Sequence, residues 1–460
     1  MREGRTMLHF ERALLPDGWA RDVRLAIDGG VLASVSAGEA ARPGDARHAI
    51  ALPGMANLHS HAFQRGMAGL AESRGDRPDG SREDSFWTWR ETMYRFVDRI
   101  TPDQLAAIAA MAYIEMLESG FTRVGEFHYL HHDPSGAPYA DPAAMAAAIV
   151  AAADESGIGL TLLPVFYAHA GFGGTAPSRG QRRFIHDIDG FARLFERSEA
   201  AAAILPDARV GIAPHSLRAV TPDELALLER LAPAAPFHIH IAEQMREVED
   251  CLAWSGARPV QWLLDHAAVD RRWCLVHATH MTADETLALA RSGAVAGLCP
   301  ITEANLGDGL FPAVDYLDAG GRLGIGSDSN VLIDMTEELR LLEYGQRLAR
   351  RVRNALARPG ARATGDALFR LSAGGGAQAL GVAAGLAPGN AADLVSLDAA
   401  HPALLARDGG ALLDSLVFAA GRGAIDGVWR RGEQVVSGGR HHARAAVAAR
   451  YRTVIEAVIG

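Results

Sequence analysis

Short runs of apolar residues recur along the chain and predict buried strands. They are residues 52–58, 122–127, 160–165, 210–213, 237–241, 273–277, 294–299 and 322–326. Most are separated by Ala- and Leu-rich segments of helical length, namely residues 102–119, 142–156, 222–231, 260–266 and 283–292. The Thr-Pro-Asp sequences at Thr101 and Thr221 are typical of helix starts. Strands that alternate with helices in this way predict an α/β fold, a (β/α)8 TIM-type barrel.

The two ends of the chain show a different pattern, in which short apolar runs alternate with turns. Residues 1–50 contain the turn Asp28-Gly29-Gly30, and residues 385–445 contain strand-like runs at 393–398 and 427–436. This pattern predicts one small β-sandwich-like domain built from both ends, with residues 51–384 forming the barrel between them. We expect the small domain to support the barrel rather than to take part in chemistry.

Polar residues that can bind a metal fall at the carboxyl ends of the predicted strands. They are His59, His61, His215, His240, His277 and Asp328. Active sites of this fold lie at that end of the barrel. The histidines at 59 and 61 point to the same side of a strand, because side chains alternate along it. Imidazole and carboxylate donors brought together in this way predict a catalytic zinc-type site that also holds a water.

Composition narrows the chemistry and the compartment. The net charge of -10 argues against nucleic acid and anionic membranes as partners, and no apolar stretch is long enough to span a bilayer. All 45 basic residues are arginine, which excludes a mechanism that needs lysine, including a carbamylated lysine between two metals. The three cysteines have no paired spacing and the first residues lead into no hydrophobic signal core, so we expect a cytoplasmic protein.

The order and spacing of these residues resemble the amidohydrolase superfamily. The resemblance rests on the lead-in at residues 52–58, on His59-Ser60-His61, on His240 followed by Glu243, on His277 and on Asp328. A glutamate three residues after the third histidine is similar to the mononuclear deaminase branch of that superfamily. The binuclear branch uses a carbamylated lysine, which this chain lacks.

The resemblance implies a role for each of these residues. One divalent metal per chain, Zn²⁺ in the first place and Fe²⁺ in the second, is held by His59, His61, His240 and Asp328. Asp328 also accepts the proton of the attacking water, and His277 forms a hydrogen bond with the nucleophile. Glu243 carries a proton to the departing nitrogen. We therefore expect a hydrolase whose catalytic residues are Glu243, His277 and Asp328.

Further motifs are similar to members of this branch that hydrolyse a small linear amidine with two carboxylates. They lie at residues 59–65, 125–129, 213–218, 299–309 and 326–330. A pocket for two carboxylates needs arginine donors with their planar fork of N–H groups. The residues expected in that pocket are Gln64, Arg90, Tyr129, His215 and Arg218.

Two other functions stay open at the level of sequence. One is a different deaminase of the same branch, acting on a guanidino compound or a heterocyclic base, although paired arginines favour a dicarboxylate. The other is an inactive scaffold with the amidohydrolase fold, which we would expect to have lost metal ligands. A homodimer is expected by analogy with similar barrel enzymes. Glu303 fits a role in the site and a turn-capping role equally well.

Overall fold

The computed structural model describes residues 6–72 and 86–460, so residues 1–5 of the predicted small domain lie outside it. Its strands are, in chain order, β1 (Thr6–Leu15), β2 (Gly18–Asp28), β3 (Val31–Ser36), β4 (Ala46–Pro53), β5 (Met55–Ser60), β6 (Phe121–His128), β7 (Gly159–Phe166), β8 (Arg209–Val210), β9 (Ala213–Pro214), β10 (Phe237–Ile241), β11 (Trp273–His277), β12 (Val295–Leu298), β13 (Arg322–Ile325), β14 (Leu394–Leu397), β15 (Ile425–Arg430), β16 (Glu433–Ser437) and β17 (Arg440–His441).

The helices lie between and around these strands. They are α1 (Phe86–Val97), α2 (Pro102–Glu118), α3 (Ala144–Ser156), α4 (Ile188–Ala202), α5 (Pro222–Leu231), α6 (Met245–Ser255), α7 (Pro259–His266), α8 (Ala283–Ser292), α9 (Pro300–Leu306), α10 (Ala313–Asp318), α11 (Met335–Arg350), α12 (Thr364–Ala379), α13 (Gly410–Ser415) and α14 (Arg444–Ile459). The predicted starts of α2 and α5 are confirmed. At each, a threonine and the residue three positions later form a reciprocal capping box, and the proline directly follows the threonine.

Strands β5 to β13 form a closed barrel. β5, β6 and β7 pair in parallel, as do β10, β11, β12 and β13. The short strands β8 and β9 both pair with β7 and together occupy the fourth position. Parallel bridges from Ile212 to Phe237 and from Ser60 to Asp328 join the remaining edges. The predicted barrel is therefore confirmed, with its first and last strands in contact.

Both ends of the chain contribute to one eight-stranded sheet, in the order β17-β16-β15-β14-β4-β1-β2-β3. Near its centre, β4 runs parallel to β1 and antiparallel to β14. The sheet has a core of its own, which includes Phe10, Leu25 and Trp429. Among the described residues, no helix is both long and apolar enough to cross a bilayer.

The apolar run at residues 52–58 was predicted as one barrel strand, and the structure divides it into two. Leu52 and Pro53 belong to β4, where they pair with β14, whereas β5 begins at Met55. Gly54 lies between the two strands, and a Cβ there would overlap the side chain of Thr122 on β6. The residues of the run are buried in both strands, and apart from Gly54 and Asn57 they are apolar, so the pattern does not mark the change of sheet.

Adjacent glycines allow α12 to lie directly on the barrel strands. A Cβ at Gly375 would overlap the backbone carbonyl of Leu323 on β13, and one at Gly376 would press on Ala56 of β5. Gly374 faces open space instead. The close contact of α12 thus supports the two strands whose ends carry His59, His61 and Asp328.

We expect Gly375→Ala to lower the free energy of unfolding by about 1–3 kcal/mol, because the added methyl group overlaps the backbone of a buried strand. Denaturant titration of the metal-saturated protein measures this change. Gly374→Ala is the matched control, and its added methyl group should leave stability unchanged or raise it by about 1 kcal/mol. Equal midpoints for the two variants would contradict the packing described for α12.

Candidate active site

The residues predicted as metal ligands meet at the carboxyl end of the barrel. His59 lies on β5 and His61 just after it, His240 lies on β10, and Asp328 follows β13. The Nε2 atom of His59 is 3.2 Å from that of His61 and 3.0 Å from that of His240. The Oδ1 atom of Asp328 is 3.3 Å from His61 Nε2 and 3.5 Å from His59 Nε2. All four side chains are buried.

The outer ring nitrogens show that this set of donors fits a metal ion. His61 Nδ1 is 2.8 Å from the Phe127 carbonyl, and His240 Nδ1 is 2.9 Å from the His215 carbonyl. Both Nδ1 atoms therefore carry the proton, which leaves the Nε2 lone pairs to bind an ion. Ligands of a tetrahedral zinc ion lie about 3.3 Å apart, close to the observed spacings.

Burial favours the protonation state that binds metal. It lowers the pKa of the imidazoles of His59, His61 and His240, so all three are neutral at physiological pH. A neutral imidazole has a free lone pair, whereas an imidazolium has none. The three rings are therefore ready to bind a divalent cation without first losing a proton.

Ser327 and Asn330 hold the backbone of Asp328 in an unusual conformation. Asp328 has a φ of 42°, which residues with a Cβ seldom adopt. Its N–H donates to the His59 carbonyl and its carbonyl accepts from the His61 N–H, both at 2.9 Å. Asn330 Nδ2 donates to the same carbonyl at 3.1 Å, and Ser327 Oγ donates to Asn330 Oδ1 at 2.6 Å. The Ser-Asn motif therefore acts by shaping the loop that presents Asp328.

His277 and Glu243 lie beside the metal ligands. His277 Nε2 is 3.8 Å from Asp328 Oδ2 and 3.9 Å from Glu243 Oε1. Burial lowers the pKa of His277, but the carboxylates of Glu243, Glu303 and Asp328 outweigh it and raise that pKa to about 10. Burial raises the pKa of Glu243 to about 7. A carboxyl group with such a pKa can both accept and donate a proton near neutral pH.

Glu303 holds His277 in place and also caps a helix. Its Oε1 accepts from the backbone N–H of Cys299 at 2.9 Å, directly before α9. The same oxygen is 3.2 Å from Nδ1 of His277. This contact fixes the tautomer and orientation of the imidazole, so that Nε2 faces Asp328 and Glu243. The two roles that the sequence left open are therefore filled by one carboxylate.

A cleft of about 550 Å³ opens beside His61, His240 and Asp328. It is lined by all five residues that were predicted to bind substrate, which are Gln64, Arg90, Tyr129, His215 and Arg218. Gln64 Nε2 donates to the Tyr129 hydroxyl at 3.0 Å. Gln64 Oε1 is buried and has no partner among the described residues. It is an acceptor that an N–H group of a bound molecule can satisfy.

Two arginines, Arg90 on α1 and Arg218 after β9, have different surroundings from Arg65. Arg218 is 3.9 Å from Glu247. Burial lowers the pKa of Arg218, but the nearby acidic groups, Glu247 first among them, together outweigh it and raise that pKa. Arg65 forms a hydrogen bond of 2.6 Å with Glu115. Arg65 is thus part of the scaffold, whereas Arg90 and Arg218 face the cleft.

Sequence reasoning missed several residues of the cleft. They are Trp89, Met93, Tyr94, Tyr167, Phe184 and Leu306. Leu306 lies within the motif at residues 299–309 but has no polar group, and the other five residues lie outside the motifs. Apolar and aromatic side chains such as these are read from sequence as part of the core. Only the folding of separate loops over one end of the barrel places them together.

Two family models match the chain. Residues 50–435 match the amidohydrolase family, and residues 5–49 match the N-terminal domain of formimidoylglutamate deiminase HutF. The chain belongs to the amidohydrolase family. Within it, the chain belongs with the formimidoylglutamate deiminases, because a member from Pseudomonas aeruginosa strain PAO1 is 54% identical over 434 residues, 94% of each chain. The predicted family and hydrolase class are confirmed.

Solved structures agree with this assignment. An amidohydrolase from Brucella melitensis is 54% identical and superposes with a TM-score of 0.95, over 99% of this chain and 100% of that one. An adenosine deaminase from Xanthomonas campestris with bound zinc is 23% identical and has a TM-score of 0.79, over 98% of each chain. The second similarity concerns the fold alone.

We expect one tightly bound divalent ion per chain. A second group of donors, His277, Cys299 and Asp328, is close enough to hold an ion. However, burial raises the pKa of the Cys299 thiol well above its usual range, and a thiol must lose its proton to bind metal. Metal analysis of the purified protein should therefore approach one equivalent. Two equivalents, both needed for turnover, would contradict a mononuclear site.

Proposed function

We propose that the chain hydrolyses N-formimidoyl-L-glutamate to N-formyl-L-glutamate and ammonia, a reaction of histidine degradation. The observation that carries this proposal is a single cleft that has the metal-binding residues on one side and Arg90 and Arg218 among its other walls. The close similarity to the deiminase of Pseudomonas aeruginosa supports the same substrate. A pocket for a neutral heterocyclic base needs no such pair of cations.

We further propose Zn²⁺ as the metal, with Fe²⁺ as the alternative. Three imidazoles and a carboxylate are ligands that suit zinc, and the similar adenosine deaminase contains zinc. When bound, the ion supplies Lewis-acid chemistry and lowers the pKa of a water ligand toward about 7. His59, His61, His240 and Asp328 would hold it.

The side chains around this position divide the proton transfers between them. The Asp328 carboxylate accepts a proton from the attacking water, while His277 forms a hydrogen bond with the nucleophile through Nε2. Oxygen adds to the formimidoyl carbon, whose C=NH double bond becomes a single C–NH₂ bond. Glu243 carries a proton to that nitrogen, because its carboxyl group is buried beside the reacting atoms and has a pKa near 7. The hydroxyl of the adduct then gives its proton to the Glu243 carboxylate, which passes it to the same nitrogen, so that the C–N bond breaks, the C=O bond forms and ammonia leaves. The proton held by Asp328 returns to Glu243.

The rest of the cleft binds the glutamate part of the substrate. Arg90 and Arg218 are the charged donors for its two carboxylates. Gln64 and Tyr129 offer further hydrogen bonds, and His215 borders the same space. Binding energy from these distant groups also orients the formimidoyl carbon toward the nucleophile.

The setting of this activity is also a proposal. We propose a cytoplasmic homodimer that binds neither nucleic acid nor membrane. The negative net charge supports the absence of such partners. The three cysteines are free and buried, which fits a reducing compartment.

Glu243→Gln should keep the metal and lower kcat by about 100-fold or more, because the amide cannot carry a proton. Metal analysis and ammonia release are measured on the same preparation. Glu249→Gln is the matched control, since Glu249 is exposed on α6, and it should behave as the wild type. If Glu243→Gln instead loses its metal, Glu243 is a ligand and the assigned role is wrong.

Arg218→Met should lower kcat/KM for N-formimidoyl-L-glutamate about tenfold to a few hundredfold, because a charge-assisted hydrogen bond to carboxylate is lost. Ammonia release is measured beside that from N-formimidoyl-L-aspartate, guanine, cytosine and a small amidine without carboxylates. The fall in kcat/KM should be far smaller for the small amidine, which has no carboxylate.

The control for this experiment is Arg230→Met, which removes an exposed arginine on α5 and should have no effect. An equal loss on all accepted substrates would show that Arg218 supports the fold or metal site. Failure of the wild type to release ammonia from N-formimidoyl-L-glutamate would refute the proposed substrate.

A further inference from the structure

The cleft contains a phenol whose hydrogen bonding is set by residues outside it. Tyr167 follows β7 and is buried, with its ring 4.6 Å from that of His215 and 5.9 Å from that of Phe184. Its hydroxyl is 2.7 Å from Nε2 of Gln181, which is also buried. Gln181 does not line the cleft itself, so any influence it has on a bound molecule passes through Tyr167.

The orientation of the Gln181 amide follows from the backbone. Its Oε1 accepts the N–H of Ser178 at 2.7 Å, as part of a capping box at the start of a short 3₁₀ helix, Arg179–Gln181. A backbone N–H can only donate, so Oε1 must be the atom that faces it. The NH₂ group of Gln181 then faces Tyr167, and the phenol oxygen accepts a hydrogen bond from it.

Because the phenol oxygen of Tyr167 accepts a hydrogen bond from Gln181, the phenol proton must be donated to a different acceptor. The phenol of Tyr94 takes part in a side-chain hydrogen bond with Tyr167, so the acceptor within reach of that proton is another phenol. The phenol of Tyr94 lies nearby, and burial together with Tyr167 raises its pKa, so it stays neutral. A carboxylate is a better acceptor than a neutral phenol. The guanidinium of Arg90 lies over the Tyr94 ring, 5.7 Å from its centre, so a bound carboxylate in this region has a cation close by.

We infer that Tyr167 is a specificity-determining donor for a carboxylate of the substrate, and that Gln181 is the positioning residue that fixes the direction of its hydrogen bond. The inference rests on the proposed function, which supplies a substrate with two carboxylates. A molecule that fills the cleft without a carboxylate at this point leaves the Tyr167 O–H with only the neutral phenol of Tyr94 as its partner. The stronger hydrogen bond to a carboxylate is then lost, and this loss separates dicarboxylate substrates from others.

Two single variants separate the donor from its positioning residue. Tyr167→Phe keeps the ring and removes the hydroxyl. Gln181→Glu keeps an oxygen for the Ser178 N–H, but its second oxygen accepts where the amide donated, so it turns the Tyr167 proton away from the cleft. Each variant should lower kcat/KM for N-formimidoyl-L-glutamate by about 10- to 100-fold, the range expected when a hydrogen bond to a charged group is lost.

The double variant tests whether Gln181 acts through Tyr167. In the Tyr167→Phe background, Gln181→Glu should lower kcat/KM by less than about twofold, because no hydroxyl remains for Gln181 to orient. A merely structural role for Gln181 predicts the same loss in both backgrounds, and that result would overturn the inference. Unchanged kcat/KM in Tyr167→Phe, with the fold intact by circular dichroism, would overturn it too.

Two monoamides of the substrate identify the carboxylate. N-formimidoyl-L-glutamine lacks the distal carboxylate, and N-formimidoyl-L-isoglutamine lacks the one next to the amidine. The Tyr167→Phe loss should shrink to about twofold or less on one of them and persist on the other. Equal losses on all three substrates would refute carboxylate recognition by Tyr167. Where a monoamide is turned over too slowly to compare, the double variant decides. A wild type inactive on N-formimidoyl-L-glutamate would refute the proposed function itself.

Discussion

The contact between the first and the last strand of the barrel is the constraint on which the site depends. The parallel bridge between Ser60 and Asp328 joins segments that lie far apart in the chain. The backbone of Asp328 forms hydrogen bonds with both His59 and His61. The same contact that closes the barrel therefore sets the distance from the carboxylate to two imidazoles. Closure of the barrel therefore also brings the predicted metal ligands of β5 and β13 together.

Burial has opposite consequences on the two sides of the site. His59, His61 and His240 are held among one another and apolar neighbours, so burial lowers their pKa values and leaves lone pairs for a cation. His277 is just as deeply buried, but three carboxylates surround it and raise its pKa. The surroundings thus divide the four histidines into three predicted metal ligands and one hydrogen-bonding group, His277. A divalent ion would counter part of the carboxylate charge, because it is the largest local charge in such a site.

The cleft combines charge with fixed hydrogen-bond directions. Arginine alone attracts any anion, so discrimination needs groups whose donors and acceptors cannot rearrange. The amides of Gln64 and Gln181 each donate to a tyrosine hydroxyl, at 3.0 Å and 2.7 Å. Each tyrosine oxygen is thereby used as an acceptor, and its proton is directed elsewhere. Only the Gln181 amide is fixed by the backbone, through the N–H of Ser178, whereas the oxygen of Gln64 is left for a bound molecule.

The sequence by itself determined the barrel and predicted which histidines and aspartate converge at its carboxyl end. Apolar runs separated by helical segments require a layered α/β fold, and histidines at the ends of such runs converge whatever the loops do. The absence of lysine decided against a carbamylated bridge without any structure. These features are local or depend only on chain order, so a linear pattern contains them.

Only the tertiary structure decided how the remaining parts meet. The run at 52–58 is mostly apolar on both sides of Gly54, because both of its strands are buried, and only strand pairing divides it there. Glu303 could cap a helix or serve the site until its carboxylate was placed beside both Cys299 and His277. Tyr167 and Gln181 have no motif, since the direction of a hydrogen bond depends on which partner is fixed. The spacing of Ser178 and Gln181 fits a capping box, but no pattern along the chain shows that the amide of Gln181 meets the hydroxyl of Tyr167.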